Sequence, residues 1–216
     1  MSMKNINWLN HLIEFVVVII GILIAFQLST CSEKRKQAVL VQEHLANLEV
    51  ETTFNQNNLQ AALGHAELTS YKLDTLFRLI PQDDAVNAVN QLSLDILNLG
   101  GVYLKKNAYR SLTESGDIRF IHDFKLKNEI VNLYEYYEWV AGIDKITTEF
   151  YLKEYYPFVM EHLDLIQAQP QPIETYRTKR YKNILATYKY HIVQRIQKYK
   201  DCESEMVEFM DLLRGE

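Results

Sequence analysis

The chain of 216 residues has little that makes turns, with 7 Gly and 4 Pro. So few leave room for few connections, and the many Leu, Ile, Ala, Glu, Lys and Gln favour long helices. Cysteine is equally scarce. Cys31 and Cys202 are too few for a disulfide framework or a metal quartet, and with Cys31 at the edge of the long apolar run and Cys202 near the far end of the chain a bridge between them is not expected. There is no glycine-rich phosphate loop, no H-E-x-x-H pair, and no G-x-S-x-G elbow around Ser115. A di-iron bundle needs Glu three residues before His. The residues at that distance from His11, His44, His65, His122, His162 and His191 are Trp8, Val41, Ala62, Arg119, Val159 and Tyr188. No catalytic residue, metal ligand or cofactor is expected, and a non-enzymatic role is the reading that remains. The net charge of -5 excludes no class.

What the chain does have is one long apolar run, Phe15 to Leu28, FVVVIIGILIAFQL. A spanning helix needs about 20 residues to cross the hydrocarbon layer. Extended back to Trp8 and forward to Ser29 the run suffices, with Trp8 at an interface that favours indole. Residues 1–31 are therefore read as an N-terminal segment with a single transmembrane helix, and 32–216 as a helical soluble domain. Glu14, Val18, Gly21, Ala25 and Leu28 recur at spacings of four and three and form one stripe. Gly21 and Ala25 make a small-xxx-small pair that lets another helix approach closely, and Glu14 needs a partner or water at that depth. The stripe is a candidate transmembrane packing face, for a second copy or for another membrane protein, with membrane lipid around it. The alternative for Glu14 is a headgroup-level, solvated carboxylate. A cleaved signal would need a basic start and small residues at the cut, but Lys4 is the only early basic side chain and no A-x-A site follows. Leu28-Ser29-Thr30-Cys31 approximates a lipobox, so a lipoprotein anchored at Cys31 is a further alternative.

The segment IEFVVVIIGILIAFQLSTCSEKRK resembles the opening of a family of small, uncharacterised single-span membrane proteins common in Bacteroidota, whose span ends in a pattern like GILIALQINNWNE. Glu14, Gly21 to Ala25, Gln27 and Glu33 match it, while Cys31 stands where the family has Trp and the family's longer basic N-terminus is missing. A second block, AYRSLTESGDIRFIHDFKLKNEIVNLYEYY, resembles the family's Tyr-x-x-Leu and Ser-Gly segment through Tyr109, Leu112, Ser115, Gly116, Tyr136 and Tyr137. The resemblance implies a membrane location and an all-α fold, and it implies no reaction. It also favours a periplasmic domain on the inner membrane. Lys34, Arg35 and Lys36, set against Lys4 before the span, argue locally for the cytoplasm. The periplasmic side is the reading adopted.

The fold class read from the pattern is all-α, a transmembrane helix continuing into a helical bundle of five or six helices. The first helix should run from the span towards Pro81, with a bend near Thr52 to Asn58, where TTFNQNN lowers propensity. Asp84 is a plausible N-cap for a helix over Ala85 to Leu99, ended by Gly100-Gly101. A short helix over Asn107 to Glu114 leads to a turn with Gly116 at positive φ. A long helix then runs from Asp123 to about Leu165, kinked or broken by Pro157. QAQPQP, Gln167 to Pro172, is the clearest linker, and Thr175 can cap a last helix to about Leu213.

Two soluble features are candidates for function. Tyr109, Tyr134 and Tyr137 belong to a tyrosine-rich block that either packs in the core or lines a pocket or partner surface of a sensor or ligand-binding module. Arg177, Lys179, Arg180 and Lys182 open a stretch with no acid between Glu174 and Asp201. The acidic residues between Glu43 and Asp95 offer an internal counterpart, so pairing within the bundle is preferred to a membrane surface, and no nucleic-acid partner is expected.

Overall fold

The computed structural model describes residues 8–215. No strand occurs among them. Helix α1 spans Trp8–Leu79 without interruption, 72 residues, and so extends about 108 Å. It is followed by α2 (Val86–Asp95), α3 (Asn107–Glu114), α4 (Phe124–Phe150), α5 (Tyr156–His162), α6 (Ile173–Arg177) and α7 (Lys179–Arg214). The all-α class and the passage of the apolar helix into the soluble bundle are as expected. The 31/32 boundary falls inside one continuous helix.

The apolar stretch of α1 stands clear of the rest of the protein, with its side chains exposed on every side. Beyond it the same helix enters the bundle. Helix α7 packs along both α1 and α4. It runs antiparallel to α1, since Lys189 meets Asp74 while Lys200 meets Glu67. It is antiparallel to α4 as well, since Tyr151 meets Tyr188 while Asp144 meets Arg195. Two apolar clusters result. The one nearer the apolar stretch gathers Leu48, Leu112, Ile130, Leu133, Tyr137 and Phe209. The far one gathers Leu73, Leu76, Tyr155, Phe158, Tyr181 and Tyr188.

Helix α1 runs unbroken through Thr52 to Asn58, where a bend was expected. Thr52 and Asn55 face the bundle interior, and Asn55 fixes Lys105 by both backbone groups, accepting from its N–H at 2.7 Å and donating to its carbonyl at 2.8 Å. Low helix propensity here reflects a tertiary role. Helix α2 stops at Asp95, short of Leu99, and neither Gly100 nor Gly101 is left-handed. Gly100 is small for a different reason: a Cβ there would run into the His65 ring. Gly116 is left-handed at φ 76, as expected. Pro157 does not break its helix. A π-helical turn over Tyr151–Tyr155 joins α4 to α5 continuously and absorbs the proline, which sits in the first turn of α5. The last helix is capped by Thr178, whose Oγ1 accepts from the Tyr181 N–H, and Thr175 belongs to the separate turn α6.

Candidate functional site

Glu14, Gly21 and Ala25 lie on the exposed apolar stretch of α1. Gly21 has nothing within 4 Å of where a Cβ would stand. Ala25 and Glu14 lie on the same exposed side of α1. The bundle therefore leaves this face open to lipid or to another helix.

The tyrosine block is built differently. Tyr109 and Tyr134 stack with ring centroids 4.2 Å apart, and Tyr134 meets Tyr137 edge-on at 4.8 Å. The Tyr134 hydroxyl donates to Glu51 Oε1 at 2.6 Å. Glu51 Oε2 in turn accepts from the backbone N–H groups of Asn107 and Ala108, at 2.7 and 3.0 Å. A carboxylate from α1 thus caps the N-terminus of α3, where orphan donors and the helix dipole both favour negative charge. Burial, followed by the bond to Glu51, pushes the Tyr134 phenol far above its ordinary value. The Tyr137 ring is fully buried, and its hydroxyl faces Thr52 and Asn55 without a well-formed hydrogen bond. Beside these rings, Tyr109, Tyr134 and Lys106 border an open groove of about 210 Å³. That is smaller than the 300–1,000 Å³ typical of small-molecule sites. Tyr134 and Tyr137 fill the core, and Tyr109 lies over them.

Between the two apolar clusters sits a polar layer that the sequence did not announce. Arg195 is 2 % exposed. Its Nη1 donates to the Gly100 carbonyl at 2.6 Å, and its Nε lies 2.9 Å from Asp144 Oδ1. Asp144 also accepts from the Tyr199 hydroxyl at 2.6 Å and from the Val102 N–H at 3.0 Å. The irregular segment from Gly100 to Lys106 is thereby held by side chains of α1, α4 and α7. Burial, aided by Arg195 and Lys72, lowers the pKa of the neighbouring His65. No sequence motif marks this layer, because its members come from helices distant in the chain.

His44 and Asp117 form a second pair missed in the sequence, Nε2 to Oδ2 at 3.0 Å. The hydrogen bond from Ser115, then that from His44, holds the Asp117 carboxyl below the usual range. The order is Ser–Asp–His, so no imidazole touches the Ser115 hydroxyl, which donates to the Leu112 carbonyl at 3.3 Å, and the trio lacks the Ser–His contact of acyl transfer. Nearby, an open groove of about 570 Å³ is lined by Lys34, Val41, Phe120, His122 and Leu126. Among the described residues no group of three or more His, Cys, Asp or Glu is placed to hold a metal.

The basic stretch divides. Arg177 closes the end of α1, donating to the carbonyls of Ile80 and Pro81 at 3.0 and 2.8 Å and pairing with Asp83 at 2.6 Å. Lys189 pairs with Asp74 and Lys200 with Glu67, at 2.6 and 2.8 Å. This is the internal charge matching between an acidic and a basic helix. Lys179, Arg180 and Lys182 stay exposed at the end of the bundle remote from the apolar segment. With Leu28 and Leu79 on one unbroken helix, that end is about 75 Å from the edge of the apolar run.

No family model, characterised protein or solved structure matches the chain.

Proposed function

We propose that the chain is a non-enzymatic, single-pass membrane protein that joins a membrane complex through its transmembrane helix and holds its helical bundle out to a partner. The observation that carries this reading is the apolar stretch of α1, exposed on all sides and fused without a break to the bundle. Apolar surface of that extent in water has no other stable use than lipid or protein contact. The open notch at Gly21 and Ala25 supports lateral association. The resemblance of the first block to the single-span Bacteroidota family supports an inner-membrane location with the bundle in the periplasm. The core role of Tyr134 and Tyr137 favours a bundle that displays surfaces over one that encloses a ligand.

The test is native mass measurement and chemical crosslinking of the full chain in mild detergent. An assembly larger than one chain, reduced by Gly21→Leu or Ala25→Leu, is the expected result. A population of monomer alone, with no associated protein, overturns the reading. Mass measurement of the mature N-terminus separates this anchor from lipid attachment at Cys31, which is exposed within the unbroken α1.

A further inference from the structure

Helix α1 turns one side to its own bundle. Leu48, Thr52, Asn55, Leu59, Leu73 and Leu76 are buried along it. The opposite side faces solvent for the whole length of the bundle, and a solvated side should be charged. Its midline carries little charge: Val39, Ala46, Val50, Ala61, Gly64 and Leu68, all exposed, run down it, interrupted by Glu43 and Asn57. Val50 is 71 % exposed and Leu68 51 %.

This line is in phase with the membrane notch. Eighteen residues are five turns of a helix at 3.6 per turn, so residues that far apart lie one above the other. Gly21 is in line with Val39, Glu14 with Val50 through Ser32, and Ala25 with Ala61 through Glu43. Gly64, like Gly21, has nothing within 4 Å of where a Cβ would stand. A glycine inside a helix costs about 1 kcal/mol relative to alanine, and nothing in the single chain requires it at position 64. A second backbone approaching closely would.

The geometry points to a second copy of this chain as the occupant of that face, forming a parallel pair with α1 against α1 from Glu14 to about Tyr71. The proposal rests on the lateral association argued above and names its partner and its extent. Three observations select a copy over another protein. Anchored copies enter the membrane in the same sense, so like residues meet like residues in a two-fold, self-complementary interface. The face lies opposite the buried side of α1, so both bundles sit on the outside of the pair without collision. Two such helices in contact along the bundle bury on the order of 1,500 Å², within the range of stable interfaces. Glu43, the single carboxylate on the midline, borders an open groove of about 520 Å³ with Arg35 and Lys36. A facing copy sets the two Glu43 carboxylates across the midline from each other, with the Arg35 and Lys36 cations of both chains about two turns away. The near-3.6 period of the apolar line makes the two helices nearly straight, without the left-handed winding of a heptad seam.

Disulfide trapping of the full chain in membranes tests this. Cys31→Ser removes the exposed thiol, and Cys202 is buried. Single cysteines are then placed at Ala25, Val50, Leu68 and, as a control on the outside of α7, Asn183. Mild oxidation should yield at least about tenfold more disulfide dimer from Val50→Cys and Leu68→Cys than from Asn183→Cys, as for a local concentration raised by docking. Trapping at Ala25 alone overturns the extended interface and leaves the membrane association standing. Trapping at Val50 and Leu68 without Ala25 supports the extended interface and removes the notch. Equal trapping at Asn183, or none at any position, overturns the pair. Ala61→Glu is the companion variant: a carboxylate on the open face leaves the bundle fold intact and should reduce trapping at Val50, whereas unchanged trapping overturns the proposal.

Discussion

Arg195→Met is the perturbation that probes the bundle's interior most sharply. The guanidinium is buried in the polar layer, bonded to Gly100 and ion-paired with Asp144. Methionine is close in volume, so the change removes charge and donors with little cavity. Breaking a buried pair by deleting one partner costs about 3–5 kcal/mol. Asp144 keeps the Tyr199 and Val102 donors, and its side chain is 16 % exposed. The lower end, about 3 kcal/mol, therefore applies. Urea unfolding of the full chain in mild detergent, followed by circular dichroism, reads this as a lower midpoint with an unchanged slope. Amide exchange adds a local readout: the Val102 and Lys105 N–H groups should lose protection, because the segment is released at Gly100. Asp144→Asn in the Arg195→Met background removes the unpaired carboxylate, so the double variant should be less destabilised than the two single costs combined by about 1–2 kcal/mol. A cost below about 1 kcal/mol for Arg195→Met, or additivity within about 0.5 kcal/mol, would refute the assignment of Arg195 and Asp144 as one unit.

Three more expectations follow from the interior. Glu51→Ala orphans the first N–H groups of α3 and the Tyr134 hydroxyl, and should cost about 2–3 kcal/mol in the same unfolding assay; Glu51→Gln, which keeps an acceptor, should recover most of it. A thiol reagent near neutral pH should modify one cysteine of the native chain, Cys31, and two after denaturation. Burial, then Glu205, Asp201 and Glu203, pushes the Cys202 thiol up to about 12, and rapid modification of both cysteines in the native state would contradict its packing. Alkaline titration should unfold the bundle cooperatively. Tyr134, Tyr137, Tyr155, Tyr181, Tyr188 and Tyr199 are all raised above the ordinary 10.0, with burial the first cause in each. The folded state then holds more protons than the unfolded one, so stability is full below about pH 10 and falls as pH rises further. Phenolate absorbance that grows smoothly, with no step coincident with the loss of helix, would argue against the buried assignments.

The regular elements were legible where local chemistry decides them. The long helix begins at Asp123, Gly116 is left-handed, and α3 runs over Asn107–Glu114, as read; that Asp123 caps α4 by accepting from the Lys125 and Leu126 N–H groups came from the structure. What misled were residues whose role is tertiary. Asn55 looked like a helix weakener and is a clamp for Lys105. Gly100 looked like a helix terminator and is a contact for His65. Pro157 looked like a break and is taken up by a wider turn. The same divide runs through the candidate site. The stripe of Glu14, Gly21 and Ala25 follows from spacing on one helix. The Arg195–Asp144–Gly100 layer joins three segments more than forty positions apart in the chain, and no local pattern encodes that.

The continuity of α1 has a mechanical consequence. A helix that crossed the membrane and then bent at Thr52 would let the bundle swivel on its anchor. An unbroken helix, pinned on its inner side by Glu51 and Asn55 and closed at its far end by Arg177 on the Ile80 and Pro81 carbonyls, fixes the bundle's azimuth to that of the apolar stretch. Any contact that orients the Gly21 face therefore also orients the Gly64 face, and rotating one without the other requires breaking helical hydrogen bonds. Inserting a single alanine after Gln37, between the apolar stretch and the bundle, turns the two faces apart by about 100° at 3.6 residues per turn. Trapping at Val50 should then be lost while trapping at Ala25 persists, and reinsertion to a full turn of four residues should largely restore it. Equal trapping at Val50 in all three chains would mean that the two faces act independently.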